Sequence, residues 1–537
     1  MGKILQDPVY DDFLSYLFVT CRKPFLVPKT AITTEAFLQQ SGADAIVEEL
    51  KTWLKTNNKE LIVSDVTDAQ GHQYVDLVQE GGGVLGIALV GYTYVLEKMG
   101  IRFFSMAGTS AGSINAVLLA CSGNKEEEKS TTITDRLVKL DMFSFVDGKT
   151  GSSRFNRWLK RLVSGMLMGA NPLKRIFNFV KWIVIALLAL TLLCFGINFI
   201  WPGISKWIGL AAVIVLVIFV VLVMAMIKRF KKFAKNGYGL NEGNVFHNWI
   251  KTNISSFHVQ ADPAQSKINN YADFSYHFMR LPPGLSVKFD SRRPNNEAPV
   301  MPLLTLITCE IIAERKIEFP RMWDLYWKRP EDVHPGDFVR ASMSIPVFFE
   351  TFSLADIRKK STGEKWKEHL NWENSKGNIP DTVQFIDGGT LSNFPINVFY
   401  NPAYPVPRMP TFGIRLQDGV LDRADKSTNS FFSYIASLFA TIRFNFDRDF
   451  ITRNRAYNMG VKSIDVREHS WLNFFMEEKE KVELFRKGAK AAADFLKTFD
   501  WENYKTERMK NAESQRERFD NPNNMEVFPY SSVGAVK

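Results

Sequence analysis

The sequence predicts an α/β layer fold with parallel strands, into which a two-helix transmembrane hairpin is inserted. Two strand-like runs, Tyr74–Gln79 and Ile101–Ala107, are each followed by a helix-like run. Alternating strands and helices form parallel sheets, because each helix returns the chain to the same end of the sheet. Two long uncharged apolar runs, 182–201 and 207–227, interrupt this pattern. The 537 residues, 46% of them hydrophobic, suffice for a large core and more than one structural unit.

The charge distribution indicates contact with a membrane surface. The formal net charge is +10. Segment 151–181 holds seven basic residues and no acidic one, and segment 228–235 holds five more. Without these twelve, the chain has 55 basic and 57 acidic residues, so the excess of positive charge lies beside the apolar runs. We therefore expect anionic lipid head groups at the basic flanks and no nucleic-acid partner.

The cysteine spacing predicts buried thiols in a reducing compartment. The four cysteines lie far apart and form no C-x-x-C pair, which argues against a disulfide framework or a cysteine metal site. They are Cys21, Cys121, Cys194 and Cys309. The first residues show no signal-peptide pattern of basic start, apolar core and small-residue cleavage site.

Residues 1–73 are expected to form a helical lead-in that docks on the main domain. A helix is predicted from Thr34 to Leu54, with apolar residues roughly on one face. The lead-in carries no chemical signature of its own.

Segment 151–235 is predicted to be the membrane unit. In 154–169, apolar residues recur at helical spacing with basic residues mostly between them, which fits an interfacial helix on anionic lipid or an ordinary amphipathic core helix. The runs 182–201 and 207–227 are each about 20 residues, roughly 30 Å as helix, which is enough to cross a bilayer core. Only Lys206 lies in the turn between them. The positive-inside rule therefore places both basic flanks and the attached domain in the cytoplasm, which in a bacterium means at the inner or plasma membrane.

The main domain is expected to be discontinuous, over 74–150 and 236–500. The polar tail, 501–537, is expected to be mobile after about 505. Beyond the hairpin the sequence predicts strands over Pro302–Cys309, Val383–Ile386 and Thr411–Leu416, a helix with a Pro turn over Asp337–Phe349, a lysine-rich insertion over 356–381, and helices over about 430–458 and 476–498.

A G-x-S-x-G pentapeptide, Gly108–Gly112, lies between the second strand and the helix-like run Ala111–Cys121. This strand–turn–helix context is that of a nucleophile elbow, in which a sharp turn projects the central serine, here Ser110. The N-terminus of the following helix favours developing negative charge. A chance pentapeptide in a loop is the alternative, and the flanking elements favour a nucleophile.

The glycine run Gly81–Gly86 follows the first strand and opens a helix. Its amides can approach a developing oxyanion closely, because glycine has no Cβ. The run also fits the dinucleotide pattern G-x-G-x-x-G, but the second strand leads into the serine turn and not to the acidic residue that a dinucleotide site needs.

Two residues are candidates for the base that activates Ser110. Asp387 ends a predicted strand and precedes Gly388 and Gly389, although Asp-Gly-Gly is also a common turn. His469 is the one histidine that follows Ser110 and Asp387 in the chain order of an α/β-hydrolase triad, but its polar setting is typical of a solvated loop.

Four blocks in this order resemble the patatin-like phospholipase family, as a bacterial-type member with an inserted transmembrane hairpin. The blocks are Gly81-Gly82-Gly83-Val84-Leu85-Gly86, Gly108-Thr109-Ser110-Ala111-Gly112, Ala341-Ser342-Met343-Ser344-Ile345-Pro346, and Asp387-Gly388-Gly389 with Asn393 and Pro395. The resemblance spans roughly 74–420. Leu85 is a departure, since many members carry Arg or Lys there.

The resemblance implies a three-layer α/β/α fold with a largely parallel sheet and a Ser–Asp dyad without histidine. Ser110 would be the nucleophile, Asp387 the general base, and the amides of Gly81, Gly82 and Gly83 the oxyanion hole. Gly86, Gly108, Gly112, Gly388 and Gly389 would be motif positions. The implied activity is hydrolysis of fatty-acyl esters of membrane lipids through an acyl-enzyme, with no cofactor and no metal.

Two other functions stay open at this point. The first is a lipid acyltransferase that uses the same acyl-enzyme with another acceptor. The second is a catalytically silent membrane scaffold on this fold, against which the intact serine, aspartate and glycine run count. The residues carry no signature of the lipid head group, the acyl position or the oligomeric state.

Overall fold

The membrane unit predicted from sequence lies outside the part of the chain that the structure describes. Apart from positions 185 and 224, the undescribed part includes the basic segment 154–169, the spans 182–201 and 207–227, and the last residues, 521–537. Among the described helices, none has the length and apolar character that a bilayer crossing requires. The computed structural model describes residues 32–145, 237–259, 266–296, 299–372, 379–417, 431–474 and 476–520, together with positions 185 and 224.

The described α-helices and strands alternate through most of the chain. The helices are α1 (Thr34–Ser41), α2 (Ala43–Thr56), α3 (Ile87–Lys98), α4 (Ala111–Cys121), α5 (Ser130–Val138), α6 (Asn244–Ile254), α7 (Tyr271–Phe278), α8 (Pro335–Ser342), α9 (Ile357–Lys360), α10 (Gly363–Leu370), α11 (Phe431–Arg453), α12 (Glu478–Thr498) and α13 (Trp501–Asp520). Short 3₁₀ turns cover Gly83–Gly86, Met142–Phe145, Trp323–Leu325, Pro330–Asp332, Gly388–Thr390, Ile396–Phe399 and Arg455–Gly460.

The strands are β1 (Val66–Thr67), β2 (Gln73–Gln79), β3 (Ile101–Thr109), β4 (Gly239–Asn241), β5 (Ser286–Val287), β6 (Leu304–Glu310), β7 (Arg315–Phe319), β8 (Val347–Phe349), β9 (Phe352–Leu354), β10 (Val383–Asp387), β11 (Thr411–Gln417) and β12 (Val461–Asp465). Ten of them form one sheet with the central order β12-β11-β2-β3-β6-β10-β9. The strands predicted before the serine turn, after the hairpin and before Asp387 are all present.

The sheet is mixed, so the prediction of a largely parallel sheet is correct only for one half. Neighbours from β12 to β6 pair in parallel. Strands β7, β10 and β9 add antiparallel pairs, as do β1 and β5. The physical reason lies after β6, where a connection of a few residues leads directly into β7. Such a short connection can only reverse the chain, whereas a parallel pair needs a long crossover.

Both faces of the central strands are packed, as a three-layer arrangement requires. On β2, Val75 and Leu77 belong to the main hydrophobic core, whereas Val78 belongs to a second core with Phe394. Successive side chains of a strand point to opposite faces, so each face of the sheet is covered.

The lead-in docks on the main domain as two helices, not as the single helix predicted from Thr34 to Leu54. Gly42 ends α1 in the left-handed conformation, with φ +66°, and its amide donates to the carbonyl of Leu38 at 3.2 Å. Phe37 packs edge-on against Phe485 of α12, with ring centroids 5.3 Å apart. This ring contact joins the described part of the lead-in to α12.

The C-terminal part of the chain differs from the prediction in two places. Strand β12 lies between the two predicted helices and extends the parallel half of the sheet. The polar sequence predicted to be mobile after about 505 continues as α13 to Asp520. Its first turns are held by burial of Trp501, Tyr504 and Lys505, which composition alone does not reveal.

Candidate active site

The turn that carries Ser110 has the strained geometry expected of a nucleophile elbow. Ser110 joins β3 to α4 with φ +53° and ψ −119°. A positive φ is costly for a residue with a Cβ and persists only where the surroundings impose it. Here the Ser110 amide donates to Ser342 Oγ at 2.9 Å, and the Ser110 carbonyl accepts from the Ser113 amide at 2.9 Å.

The two flanking glycines allow the backbone to close tightly around this turn. A Cβ on Gly108 would overlap the backbone of Gly112, and a Cβ on Gly112 would overlap the carbonyl of Gln79 in β2. The spacing of the pentapeptide is therefore a steric requirement of strand–helix packing.

Strand pairing brings Asp387 to the same end of the sheet as Ser110. Thr109 pairs with Ile307 of β6, and the next residue of β6, Thr308, pairs with Asp387. Because β10 runs antiparallel to β6, its last residue lies beside the elbow. The Asp387 amide donates to the carbonyl of Ser344 at 2.8 Å, which ties the base to the segment after α8.

The Asp387 carboxyl is buried and contacts the nucleophile. Burial raises its pKa above the usual range of an aspartate, while hydrogen bonds from the Ser110 hydroxyl and the Gly389 amide and the positive charge of Arg443 lower it. The Gly389 amide donates to Asp387 Oδ1 at 2.8 Å. The structure thus brings together the two residues that the sequence indicated as nucleophile and base.

Met343 also contacts the nucleophile, with its Sδ 3.1 Å from Ser110 Oγ. A hydroxyl has one proton, and a thioether sulfur is a much weaker acceptor than a carboxylate. The Asp387 carboxylate is therefore the stronger acceptor for the Ser110 proton, although the hydroxyl donates to Met343 Sδ in this structure, and Met343 limits the positions that the hydroxyl can take. The sequence marked the block around Met343 but not this contact.

The glycine run lies against the elbow. A Cβ built on Gly81 would lie 3.1 Å from Ser110 Cβ, and one built on Gly86 would lie 2.9 Å from Ala111 Cβ. The Gly81 amide donates to the Asn393 carbonyl at 3.0 Å, so it is already occupied. Within the described part of the chain, the amides of Gly82 and Gly83, where a 3₁₀ turn begins, donate to no other protein group.

Two charged side chains that sequence reasoning missed flank this run. Burial raises the pKa of Glu80 to about 7, and the charges of Arg415 and Arg443 oppose that rise. Arg443 of α11 donates through one guanidinium nitrogen to Asn393 Oδ1 at 3.0 Å. Arg443 thus places a positive charge near Glu80 and Asp387, and no motif in the sequence signals it.

An apolar pocket opens beside the glycine run and the elbow. It leaves water-sized molecules ≈ 50 Å³ of space, and its lining includes Gly83, Ala111, Met343, Trp249 and Phe474. The lining is almost wholly apolar, which suits a hydrocarbon chain and disfavours the pyrophosphate of a dinucleotide.

His469 lies in a different environment from the dyad. Its Nε2 is 3.5 Å from Glu483 Oε1, and within the described chain neither Ser110 nor Asp387 has a histidine partner. Glu468, His469 and Glu483 bring three potential metal ligands within 4.8 Å of one another, a cluster that sequence spacing did not reveal. Lys487 already pairs with both glutamates, at 3.1 and 3.6 Å, and supplies the positive charge there.

Known proteins are similar to this chain over more than half of its length. The family model described as patatin-like phospholipase matches residues 77–400. The uncharacterized protein YqhO of Bacillus subtilis (strain 168) is 24% identical over 428 residues, which cover 80% of this chain and 100% of that protein. The crystal structure of VipD from Legionella pneumophila aligns at 14% identity and a TM-score of 0.33, over 82% of this chain and 71% of that one. The match over more than half of its length shows that this chain belongs to the patatin-like phospholipase family.

Proposed function

We propose that the chain is a membrane-anchored serine lipid acyl hydrolase, of phospholipase A or lysophospholipase type, in which Ser110 and Asp387 form a catalytic dyad. The observation that carries this proposal is the position of the buried Asp387 carboxyl, at the end of β10, beside the Ser110 hydroxyl at its strained turn. A nucleophile in contact with a base whose pKa is raised by burial is the arrangement that acyl transfer needs.

The proposed reaction begins with attack of Ser110 Oγ on the ester carbonyl while Asp387 accepts the hydroxyl proton. The amides of Gly82 and Gly83 and the N-terminus of α4 stabilise the negative charge on the carbonyl oxygen. Asp387 then gives its proton to the leaving alcohol, and an acyl-Ser110 ester remains. Water, deprotonated by Asp387, hydrolyses that ester and restores the serine.

The apolar pocket supports a fatty-acyl substrate. Its lining includes Gly83, one of the proposed oxyanion-hole residues. It also includes aromatic and aliphatic side chains such as Trp249, Leu140 and Phe474. An acyl chain placed there loses its contact with water, and each buried methylene contributes about 0.8 kcal/mol. The ester end of such a chain would lie beside Ser110.

The membrane anchor is proposed from sequence alone. The runs 182–201 and 207–227 are uncharged, and basic residues flank their outer ends. A hairpin that enters the bilayer between two parts of the catalytic domain would keep the site close to its lipid substrate.

The direct test is covalent labelling and product analysis with the full-length protein in detergent. A fluorophosphonate probe should label wild type and fail to label Ser110→Ala, because the probe reacts with the activated hydroxyl. Ser122→Ala, at the other end of α4, is the matched control and should label as wild type does. Mass spectrometry of phospholipid vesicles should show free fatty acid and lysolipid only with labelled variants.

The same assay separates hydrolysis from its alternatives. Loss of the covalent nucleophile is expected to lower the rate by up to ~10⁶-fold. Equal labelling of wild type and Ser110→Ala would reject the nucleophile. Transfer of the acyl group to another lipid, with no free fatty acid, would replace hydrolase with acyltransferase.

Dyad and triad are distinguished by two further variants. Asp387→Asn keeps an acceptor for the Gly389 amide but removes the base, so activity should fall by at least about 10²-fold. His469→Ala should stay within a few-fold of wild type, because His469 pairs with Glu483. A folded His469→Ala protein as inactive as Ser110→Ala would show that the base is a histidine.

A further inference from the structure

A second cavity lies at the opposite end of α4 from Ser110. It gives water-sized molecules ≈ 260 Å³ of space, between the segment after α4 and the segment from α7 to Pro283. Ala120, in the last turn of α4, belongs to its lining. Helix α4 has 11 residues, about 16 Å of rise, and the two cavities share no lining residue.

The lining of this cavity, which we call the basic cavity, is strongly cationic. Lys125, Lys129, His277 and Arg280 line it, and Glu126 is the acidic residue among the lining side chains. Lys125 is 8% exposed and Lys129 is 5% exposed. Lysine is rarely buried to this extent without a paired carboxylate.

The buried ammonium groups have carbonyl partners and no ion pair. Lys125 Nζ donates to the Phe278 carbonyl and lies 4.2 Å from the centroid of the Phe278 ring. Lys129 Nζ donates to the Leu119 carbonyl at 2.9 Å. Within the described chain, neither Nζ forms a salt bridge, and an ammonium group has three donors, so each retains donors for another acceptor.

The nearest buried carboxylate is engaged elsewhere. Glu97 Oε2 accepts from the backbone amides of Lys129 and Ser130, at 2.9 and 2.6 Å. The negative charge of Glu97 therefore stabilises the start of α5, and it also favours the charged form of Lys129. Among the described residues, Lys125 Nζ and Lys129 Nζ therefore have no salt-bridge partner, although the charge of Glu126 also acts on both groups.

Burial and mutual repulsion lower the pKa values of the cationic groups in this cavity. Burial and the charge of Lys129 lower the pKa of Lys125 to about 7, and burial lowers the pKa of Lys129 to about 8. Burial and the same two lysines lower the pKa of His277 to about 4. An anion in the cavity would relieve the repulsion among these groups.

We propose that the basic cavity binds a phosphate-type oxyanion through Lys125 Nζ and Lys129 Nζ. A tetrahedral oxyanion offers several acceptors to donors on different elements, as this cavity requires. The anion is either free phosphate or the phosphate of a lipid head group, since Leu281 at the rim is 46% exposed and leaves the opening accessible. The site is independent of the chemistry at Ser110.

Calorimetric titration of the full-length protein in detergent tests the proposal with two probes, inorganic phosphate and glycerol 3-phosphate. Wild type and Ser110→Ala should both bind phosphate saturably, so a failed catalytic assignment would leave this result untouched. Lys125→Met retains the apolar stem and should weaken binding at least about tenfold. Lys139→Met, whose side chain is 65% exposed in wild type, is the charge-matched control and should bind as wild type does.

Glycerol 3-phosphate distinguishes the two sources of the anion. Tighter binding of glycerol 3-phosphate than of phosphate would assign a lipid head group, and equal or weaker binding would assign free phosphate. Absence of saturable binding of both probes to wild type at millimolar concentration, or unchanged affinity in folded Lys125→Met, would overturn the proposal.

Lysine footprinting on wild type covers the case in which Lys125→Met does not fold. Reductive methylation of Lys125 and Lys129, read by mass spectrometry, should slow when phosphate is added. Methylation of Lys139 should not change. Equal rates at Lys125 and Lys129 with and without phosphate would also reject the site.

Discussion

At the residue scale, the Asp387 carboxyl decides how the proposed activity depends on pH. Asp387 must be ionised to accept the Ser110 proton. Because burial raises its pKa, activity should be lost as the pH falls through a value above the usual aspartate range. The positive charge of Arg443 limits this rise in pKa and so keeps the base ionised to lower pH.

Arg443→Met should move the acidic limb of the kcat/KM profile to higher pH. Removal of the guanidinium charge removes a stabilising interaction with the Asp387 carboxylate, so the pKa of Asp387 rises further. The measurement is kcat/KM for a soluble short-chain ester between about pH 4 and 9. Carboxyl and imidazole groups in proteins titrate mostly within this range.

Arg453→Met is the matched control for that shift. Arg453 lies on the same helix, with a side chain 73% exposed, and pairs with Asp449 at 3.0 Å. The control should keep the wild-type profile. A uniform loss of activity in Arg443→Met, with an unshifted limb, would mean that Arg443 acts only through its hydrogen bond to Asn393.

At the element scale, the close approach of β2, β3 and α4 fixes the position of Ser110. Gly112→Ala should lower the free energy of unfolding by roughly 3 kcal/mol or more, because its Cβ would overlap the Gln79 carbonyl, which cannot rotate away. Guanidinium unfolding of the detergent-solubilised protein measures the change. Gly363→Ala adds a methyl at a site with no atom within 4 Å and should be neutral or slightly stabilising.

Helix α13 is attached to the domain by a buried charge cluster. Asp65 accepts hydrogen bonds from Trp501 Nε1 and Lys505 Nζ, both at 2.9 Å, and pairs with Arg293. All three charged side chains are almost fully buried. The cluster joins the lead-in, the segment after β5 and the C-terminal helix.

Asp65→Ala should destabilise the fold by roughly 3–5 kcal/mol, because it leaves the charge of Arg293 buried without its carboxylate partner and removes the most buried of the carboxylates that pair with Lys505. Asp465→Ala removes an exposed carboxylate that pairs with Arg467 at 2.6 Å and should change stability by about 0–1 kcal/mol. Similar unfolding midpoints for the two variants would contradict the structural role of α13.

At the scale of the whole molecule, the proposed hairpin would determine where the proposed enzyme works. With the four native cysteines replaced, a cysteine placed in 202–206 should react with an impermeant thiol reagent from outside the cell. The reason is the charge asymmetry, with twelve basic residues on the outer flanks and one in the turn. Reaction only after permeabilisation would mean an inverted orientation or a hairpin that does not cross.

Replacement of 182–227 by a short polar linker is the companion variant. It should release the protein from membranes, unless the basic segment 154–169 retains it. Binding through basic residues weakens as salt screens their charge, whereas a spanning hairpin resists salt. High salt therefore separates the two kinds of attachment.

The sequence by itself determined the local parts of the site. Gly108 and Gly112 were recognisable because a tight strand–turn–helix unit tolerates no Cβ at those positions, and that requirement acts over five residues. Asp387 was recognisable as the last residue of a strand before two glycines. The bounds of α4 and the strands before Ser110 and Asp387 followed from hydrophobic patterning over short windows.

Only the tertiary structure decided those features of the site that depend on contacts between residues far apart in the chain. The antiparallel β10 sets Asp387 beside Ser110, Arg443 reaches the site from α11, and the Gly81 amide is taken by Asn393. The mixed sheet and the docking of α13 have the same origin. In each case the deciding contact joins residues far apart in the chain, and its geometry depends on strand order and burial, which local periodicity does not encode.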